Sequence, residues 1–312
     1  MSSVVAVVGS LNMDFVVTVP RLPAPGETVL GRDFQMIPGG KGANQACAAG
    51  KLGGGKVLTR MAGRVGYDLF ADHLKASLAA AGVDVSAVYA TKSQPTGVAL
   101  IWVEESGQNA IVVASGANHA LSASEVEALR PVFRGAALAL FQLETPFAAV
   151  AAALRLAREE GARTILDPAP ARPLERELLE QVDLLTPNES EACLLLGRAP
   201  QRLTLEEAPE VAAALLETGP RAVVLKLGEL GCHFADGRRS LSSPGFAVEA
   251  RDTTAAGDTF NGALAVALAE GMALEEALKF ANAAAALSVT RLGAQASIPT
   301  RAEVEAFLGT RA

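Results

Sequence analysis

Short apolar, β-branched runs alternate along the chain with longer Ala- and Leu-rich stretches. The runs are Val4 to Val8, Val57 to Met61, Ala137 to Phe141, Thr164 to Asp167, Leu184 to Leu185 and Ala222 to Leu227. Continuously apolar strands separated by helices predict an α/β fold: three layers, doubly wound, with a mostly parallel sheet covered on both faces. In such open sheets ligands collect beyond the carboxyl ends of the strands. Asn12, Glu144, Asp167, Asn188 and Gly228 all fall there, so the polar motifs converge on one crevice.

Two segments break the alternation. Asp14 to Val19 with Val29 to Ile37, punctuated by Pro20, Pro23 and Pro25, reads as one hairpin, and Gly97 to Val103 with Ala110 to Val113 as another. In the second, Val98, Leu100 and Trp102 point one way and Ala99, Ile101 and Val103 the other, so both faces of a small sheet are apolar. Such a sheet needs a second cover, from its own domain or from elsewhere.

Half of the 312 residues are hydrophobic. A chain of this size buries roughly three quarters of its unfolded surface as one large domain, so residues 1–312 are expected to form one unit. A net charge of −7 and 4% aromatic residues offer neither a phosphate-tracking surface nor a base-stacking platform, and no nucleic acid partner is expected. Cys47, Cys193 and Cys232 are far apart, with no Cys-x-x-Cys pair, which argues against disulfides and zinc. The first apolar stretch ends at Gly9 with no basic n-region before it, and no later apolar run reaches the length of a membrane span. The expectation is a cytoplasmic protein without a membrane partner. Gly9-Ser10-Leu11-Asn12 is not a dinucleotide fingerprint, and no Gly-Lys is followed by Ser or Thr as a P-loop requires.

The most informative run is Asp252-Thr253-Thr254-Ala255-Ala256-Gly257-Asp258-Thr259-Phe260-Asn261-Gly262. Small residues lead into an Ala-rich helix expected to start near Gly257 and run toward Glu270, so the N–H groups around Ala255 to Asp258 lack intrahelical partners. Those groups and the helix dipole favour an anion, and Asp258 sits beside the hollow. Upstream, Pro38-Gly39-Gly40-Lys41-Gly42-Ala43-Asn44-Gln45-Ala46 is a glycine turn running into a helix. It lets backbone lie against a ligand while Lys41 and Asn44 project from the first turn.

These two motifs, in this order and widely spaced, resemble the ribokinase family of sugar and nucleoside kinases. The resemblance covers nearly the whole chain. It includes Gly9-Ser10-Leu11-Asn12-Met13-Asp14, Pro25-Gly26-Glu27-Thr28, Thr96-Gly97-Val98-Ala99-Leu100-Ile101 and Gly116-Ala117-Asn118. It continues through Gln142-Leu143-Glu144-Thr145-Pro146, Asp167-Pro168-Ala169-Pro170-Ala171-Arg172, Thr186-Pro187-Asn188-Glu189 and Thr290-Arg291-Leu292-Gly293-Ala294-Gln295. Gly-Gly-Lys-Gly-Ala-Asn-Gln and the Pro-Ala-Pro-Ala run are similar to the family's ribose enzymes.

The resemblance implies a carbohydrate kinase that transfers phosphate from ATP to O5 of D-ribose. Other implied possibilities are a deoxyribokinase, a 2-keto-3-deoxygluconate kinase or, less in keeping with Asp258 and Gly257, a non-catalytic sugar-binding regulator. It implies a sugar pocket of Asn12, Asp14, Gly40, Lys41, Asn44, Glu144 and Asp258. Asp258 would be the general base, and the N–H groups of Ala255, Ala256 and Gly257 the anion hole. From the residues alone, Asn12 reads equally as a loop Asx-turn residue and Glu144 as a helix-cap neighbour. The nucleotide would meet Asn188, Glu191, Lys226, Gly228, Gly231, Gly257 and Asn282, with Glu191 helping to organise Mg2+ through water. Lys226 departs from the family's usual Thr. Asp252, Thr254, Ser288, Arg291, Gly293 and Ser297 would form a site for a monovalent cation, K+, mostly through backbone oxygens. The two hairpins, about 14–38 and 96–114, match the family's β-lid and imply a homodimer through it.

Overall fold

The computed structural model describes residues 3–104, 106 and 108–311. Among the described residues, thirteen strands form two sheets. The strands are β1 (Ser3–Val8), β2 (Asn12–Val19), β3 (Arg32–Gly39), β4 (Val57–Gly66), β5 (Val83–Thr91), β6 (Gly97–Glu104) and β7 (Asn109–Ala114). They continue as β8 (Ala136–Phe141), β9 (Arg163–Leu166), β10 (Leu184–Leu185), β11 (Val223–Lys226), β12 (Gly231–Ala235) and β13 (Ser240–Pro244). The main sheet has the order β13-β12-β11-β10-β9-β8-β1-β4-β5. It is parallel except for β12 and β13, which close one edge antiparallel.

Alternate residues of each strand enter opposite cores. Val5 and Val7 of β1, Met61 of β4, Leu140 of β8 and Val224 of β11 belong to one cluster with Ala46, Leu264 and Ala281. These last three come from helices α1 (Lys41–Gly53), Ala256–Ala269 and Leu274–Ser288. Val4, Ala6, Val8, Phe141 and Leu225 face the other cluster with Leu154, Val211 and Leu215. This is the three-layer, mostly parallel architecture that the apolar runs predict. Strands β5, β12 and β13 are absent from that reading: exposed positions interrupt β5, as at Asp84, Ser86 and Tyr89, and β13, as at Ser240 and Ser242, while β12 is buried throughout but carries His233 at its centre.

The small sheet has the order β3-β2-β6-β7. Each expected hairpin is antiparallel, and the two join through a parallel β2–β6 pair from Asn12↔Gly97 to Val19↔Glu104. The first hairpin differs at its ends: β2 starts at Asn12 rather than Asp14, and β3 starts at Arg32 rather than Val29. Asn12 and Asp14 therefore lie on one face, in the rows of Gly97 and Ala99. The opposite face starts on the domain itself, with Met13 and Val98 packed on the core and Phe15 edge-on to Phe70. No helix among the described residues is long and apolar enough to cross a membrane.

Candidate active site

The glycine turn is dictated by close approach. Gly40 has φ 87°, and a Cβ there would lie 2.8 Å from Asn12 N, while one on Gly39 would stand 2.1 Å from Asp14 Oδ2. A side chain at either position would push the small sheet off α1. Asn118 secures the same corner: it accepts from Leu11 N at 2.9 Å and donates to Leu11 O at 3.0 Å and to Asn12 Oδ1 at 2.7 Å. Glu144 Oε2 accepts from Ser10 Oγ at 2.5 Å and from Lys41 N at 3.1 Å, tying the end of β8 to the turn.

Helix α1 then aims Asn44 and Gln45 at Asp258. Asn44 Nδ2 donates to Asp258 Oδ2 at 3.1 Å and Gln45 Nε2 to Asp258 Oδ1 at 3.0 Å. Asp258 occupies the third position of its helix, which starts at Ala256 after Ala255 in the left-handed region at φ 59°. Such a conformation is costly for a residue other than glycine. It turns the chain so that the helix N-terminus opens toward the crevice.

One part of the expected anion hole differs. Ala256 N donates to Thr253 O at 3.2 Å, closing a turn, so its N–H is already engaged. The N–H groups of Ala255, Gly257 and Asp258 meet no backbone acceptor among the described residues. The hollow is therefore centred on Gly257 and Asp258, one step further along than the expected trio.

The carboxyls are perturbed by their surroundings. Burial, then the charges of Glu144 and Asp258, push Asp14 up to about 7. Burial pushes Asp258 up to about 6, against the pull of Lys41, with Asp167 adding to the rise. Burial on its own would lower the Lys41 ammonium, but Asp258, Asp167, Glu144 and Glu191 outweigh it and hold Lys41 above its ordinary value. Four acids around one permanent cation can accept a proton and hold negative charge.

Two cavities meet at the hollow. One, of about 380 Å³, is lined by Lys41, Asp167, Asn188, Glu191, Gly257 and Asp258. The other, of about 480 Å³, is lined by Gly228, Gly231, Phe246, Val248, Asn282 and Val289. Lys226 and Gly257 line both. The first is polar, and the second is apolar with backbone edges, as a charged group joined to a flat ring would require. Asn188 and Glu191 form a reciprocal helix cap, each side chain bonded to the other's N–H at 2.8 Å. Glu191 Oε1 accepts no hydrogen bond among the described residues, and burial pushes this carboxyl up, so a cation beside it is favourable. Asn282 donates to Ser243 O at 3.0 Å and Pro244 O at 3.2 Å, fixing the rim of the apolar cavity. Lys226, the departure noted in the sequence, is paired with Asp167 at 3.0 Å.

Of the expected monovalent-cation residues, Asp252, Thr254 and Gly293 are brought together. Asp252 Oδ1 accepts from Thr254 N at 2.9 Å and Oδ2 from Gly293 N at 2.8 Å, so the carboxylate clips two loops beside the hollow. The Ser288 and Ser297 hydroxyls bond to the Ala285 and Ala294 carbonyls, and Arg291 pairs with Glu303.

Sequence reasoning passed over Ser10, Gln45, Gln142 and Asn118 as site residues. Gln45 and Asn118 lie inside the quoted motifs, and their amides were the available signal. Gln142 and Ser10 also lie inside quoted motifs, but their partners, Gln45 and Glu144, are distant in sequence.

Comparison with known proteins matches this arrangement. A family model described as pfkB family carbohydrate kinase matches residues 2–301. A ribokinase of Haemophilus influenzae is 41% identical over 308 residues, 99% of each chain. One of Bacillus subtilis is 42% identical over 97% of this chain and 99% of its own. Among solved structures, ribokinase from Thermotoga maritima superposes with a TM-score of 0.88 at 40% identity, covering 99% of this chain and 100% of that one. Arabidopsis thaliana ribokinase complexed with ribose and ATP superposes with a TM-score of 0.89 at 35% identity, covering 99% of both. With a buried carboxylate at an open helix N-terminus, two joined cavities and similarity along almost its whole length, the chain belongs to the pfkB family of carbohydrate kinases.

Proposed function

We propose that this enzyme is a ribokinase, phosphorylating D-ribose at O5 with ATP to give ribose 5-phosphate and ADP. The observation that carries the reading is Asp258: nearly buried, clamped by Asn44 and Gln45, and one residue from the anion hollow. An uncharged, hydroxyl-rich substrate needs paired donors and acceptors. Asn12, Asp14, Asn44 and Lys41 supply them, and Asn44 Oδ1 is a buried acceptor with no protein partner.

In the reaction Asp258 accepts the proton of the attacking hydroxyl, which becomes acidic as its bond to phosphorus forms. Lys41 and the N–H groups of Gly257 and Asp258 hold the transferring oxygens, so positioning and charge stabilisation supply most of the rate. Glu191, with Asn188 behind it, would hold Mg2+, which neutralises phosphate charge when bound. Asp252 and the loop from Ser288 to Ser297 would hold K+ and stiffen the hollow. This reading carries a cytoplasmic location.

We also infer a homodimer through the small sheet, which acts as the lid. Phe34, Met36, Leu100 and Val112 are exposed on one face of it, and Ile111 and Val113 on the other. Pairing one of these faces with a second lid removes its apolar surface and the sheet edge together.

The test is ADP release across a panel of pentoses, hexoses and nucleosides. Losing one engaged hydroxyl costs about 1 to 3 kcal/mol, so ribose should exceed 2-deoxyribose and hexoses in kcat/KM. A preference for fructose, adenosine or 2-keto-3-deoxygluconate would overturn the ribose assignment.

A further inference from the structure

Asp258 is not held by Asn44 and Gln45 alone, because Gln45 has a second carboxylate to satisfy. Its Nε2 donates to Asp258 Oδ1 at 3.0 Å and to Asp167 Oδ2 at 2.9 Å. One amide nitrogen carries two hydrogens, so both are committed. The amide cannot be turned over, because Gln142 Nε2 donates to Gln45 Oε1 at 2.6 Å. Two buried acids thus share one donor group, and each must present an acceptor oxygen to it. Like charges this close drive one acid to take up a proton unless a cation offsets them. Lys41 offsets both acids, and the cation in contact with Asp167 is Lys226, whose Nζ lies 3.0 Å from Asp167 Oδ1 with 12% of its side chain exposed against 3% for Asp167.

We infer that Lys226 is a positioning residue for the base: by neutralising Asp167 it lets Gln45 hold both carboxylates ionised. It acts at the far end of the chain Lys226–Asp167–Gln45–Asp258. The other charged groups around these acids are Lys41 on α1, Asp14 on β2, Glu144 after β8 and Glu191 on the helix Glu189–Leu195. Lys41 faces Asp258, Asp167, Glu144 and Glu191, whereas Lys226 is hydrogen-bonded to Asp167 alone and otherwise faces Glu191. A neutral side chain at 226 would leave Asp167 buried without its partner, and the proton it attracts would be shared with the base through Gln45.

This inference rests on the kinase reading, and the two fail differently. Wild-type enzyme that releases no ADP with any sugar defeats the kinase reading alone. The experiment measures kcat/KM for ribose from about pH 5 to 9 in wild type, Lys226→Met, Lys226→Arg, Asp167→Asn and the double variant Lys226→Met/Asp167→Asn. Lys226→Met should move the acid limb up by about one pH unit, losing about tenfold on that limb and recovering at high pH. Lys226→Arg should stay near wild type, and the double variant should return the limb to the wild-type position or below. An unmoved limb in Lys226→Met, or a double variant that keeps the shift, would overturn the inference; a change confined to KM for ATP would assign Lys226 to the phosphates instead. Should Lys226→Met fail to fold, Asp167→Asn alone decides. Its limb should move down by about one unit, and no movement refutes the coupling.

Discussion

Acidification from about pH 8 to about pH 5 protonates two buried acids that the proposed reaction needs as anions. Asp258, pushed up to about 6, must accept a proton, and Asp14, pushed up to about 7, must accept from the sugar. Both values lie above the ordinary carboxyl value, so each group is ionised only above its raised value and is lost as pH falls through it. Treating them as separate sites, the fraction with both ionised is about 0.9 at pH 8, about 0.05 at pH 6 and about 0.001 at pH 5. The kcat/KM for ribose should therefore fall by about 10³ over this range, with a limiting slope of two protons. Because the acids are close, the two steps belong to the pair. The assay is coupled ADP release with ATP saturating, using overlapping buffers of constant ionic strength. Asp14→Asn should reduce the slope to one proton while lowering activity at every pH. A wild-type profile that loses only tenfold between pH 8 and 5 would refute the two-acid account.

The same raised values make the fold less stable as pH rises through about 4 to 7, since the native state holds protons there that the unfolded chain has released; Asp14→Asn should flatten this fall in Tm. Potassium should raise kcat over a bulky organic cation at matched ionic strength, because Asp252 clips the cation loop to the hollow, and equal rates would count against the site. Ile111→Asp places a carboxylate on an exposed apolar face of the lid, so mass by light scattering should fall to half; a wild-type monomer at micromolar concentration would remove the dimer altogether.

The main sheet was legible because its central strands are buried on both faces and read as uninterrupted apolar runs. Edge strands were not, since β5 and β13 expose alternate residues and β12 is recognisable only by its pairing with β11 and β13. The parallel join between the hairpins is invisible in either hairpin taken alone. At the site, the glycine turn and the Asp258 turn were legible because each is a local backbone device with few alternatives. The engagement of Ala256 N with Thr253 O was not, because it depends on the left-handed turn at Ala255. Nor were the ion pair of Lys226 with Asp167 and the clamp by Gln45 and Gln142, which join residues distant in sequence that meet only once the sheet has formed.

The most direct test of the account is Asp258→Asn, which keeps the shape and the two clamping amides within reach while removing the basic oxygen. Steady-state ADP release with ribose should fall by about 10²- to 10⁴-fold in kcat, while ribose binding measured by calorimetry weakens far less. Turnover close to wild type would contradict the assignment of Asp258 as the base and, with it, the mechanism built on this site.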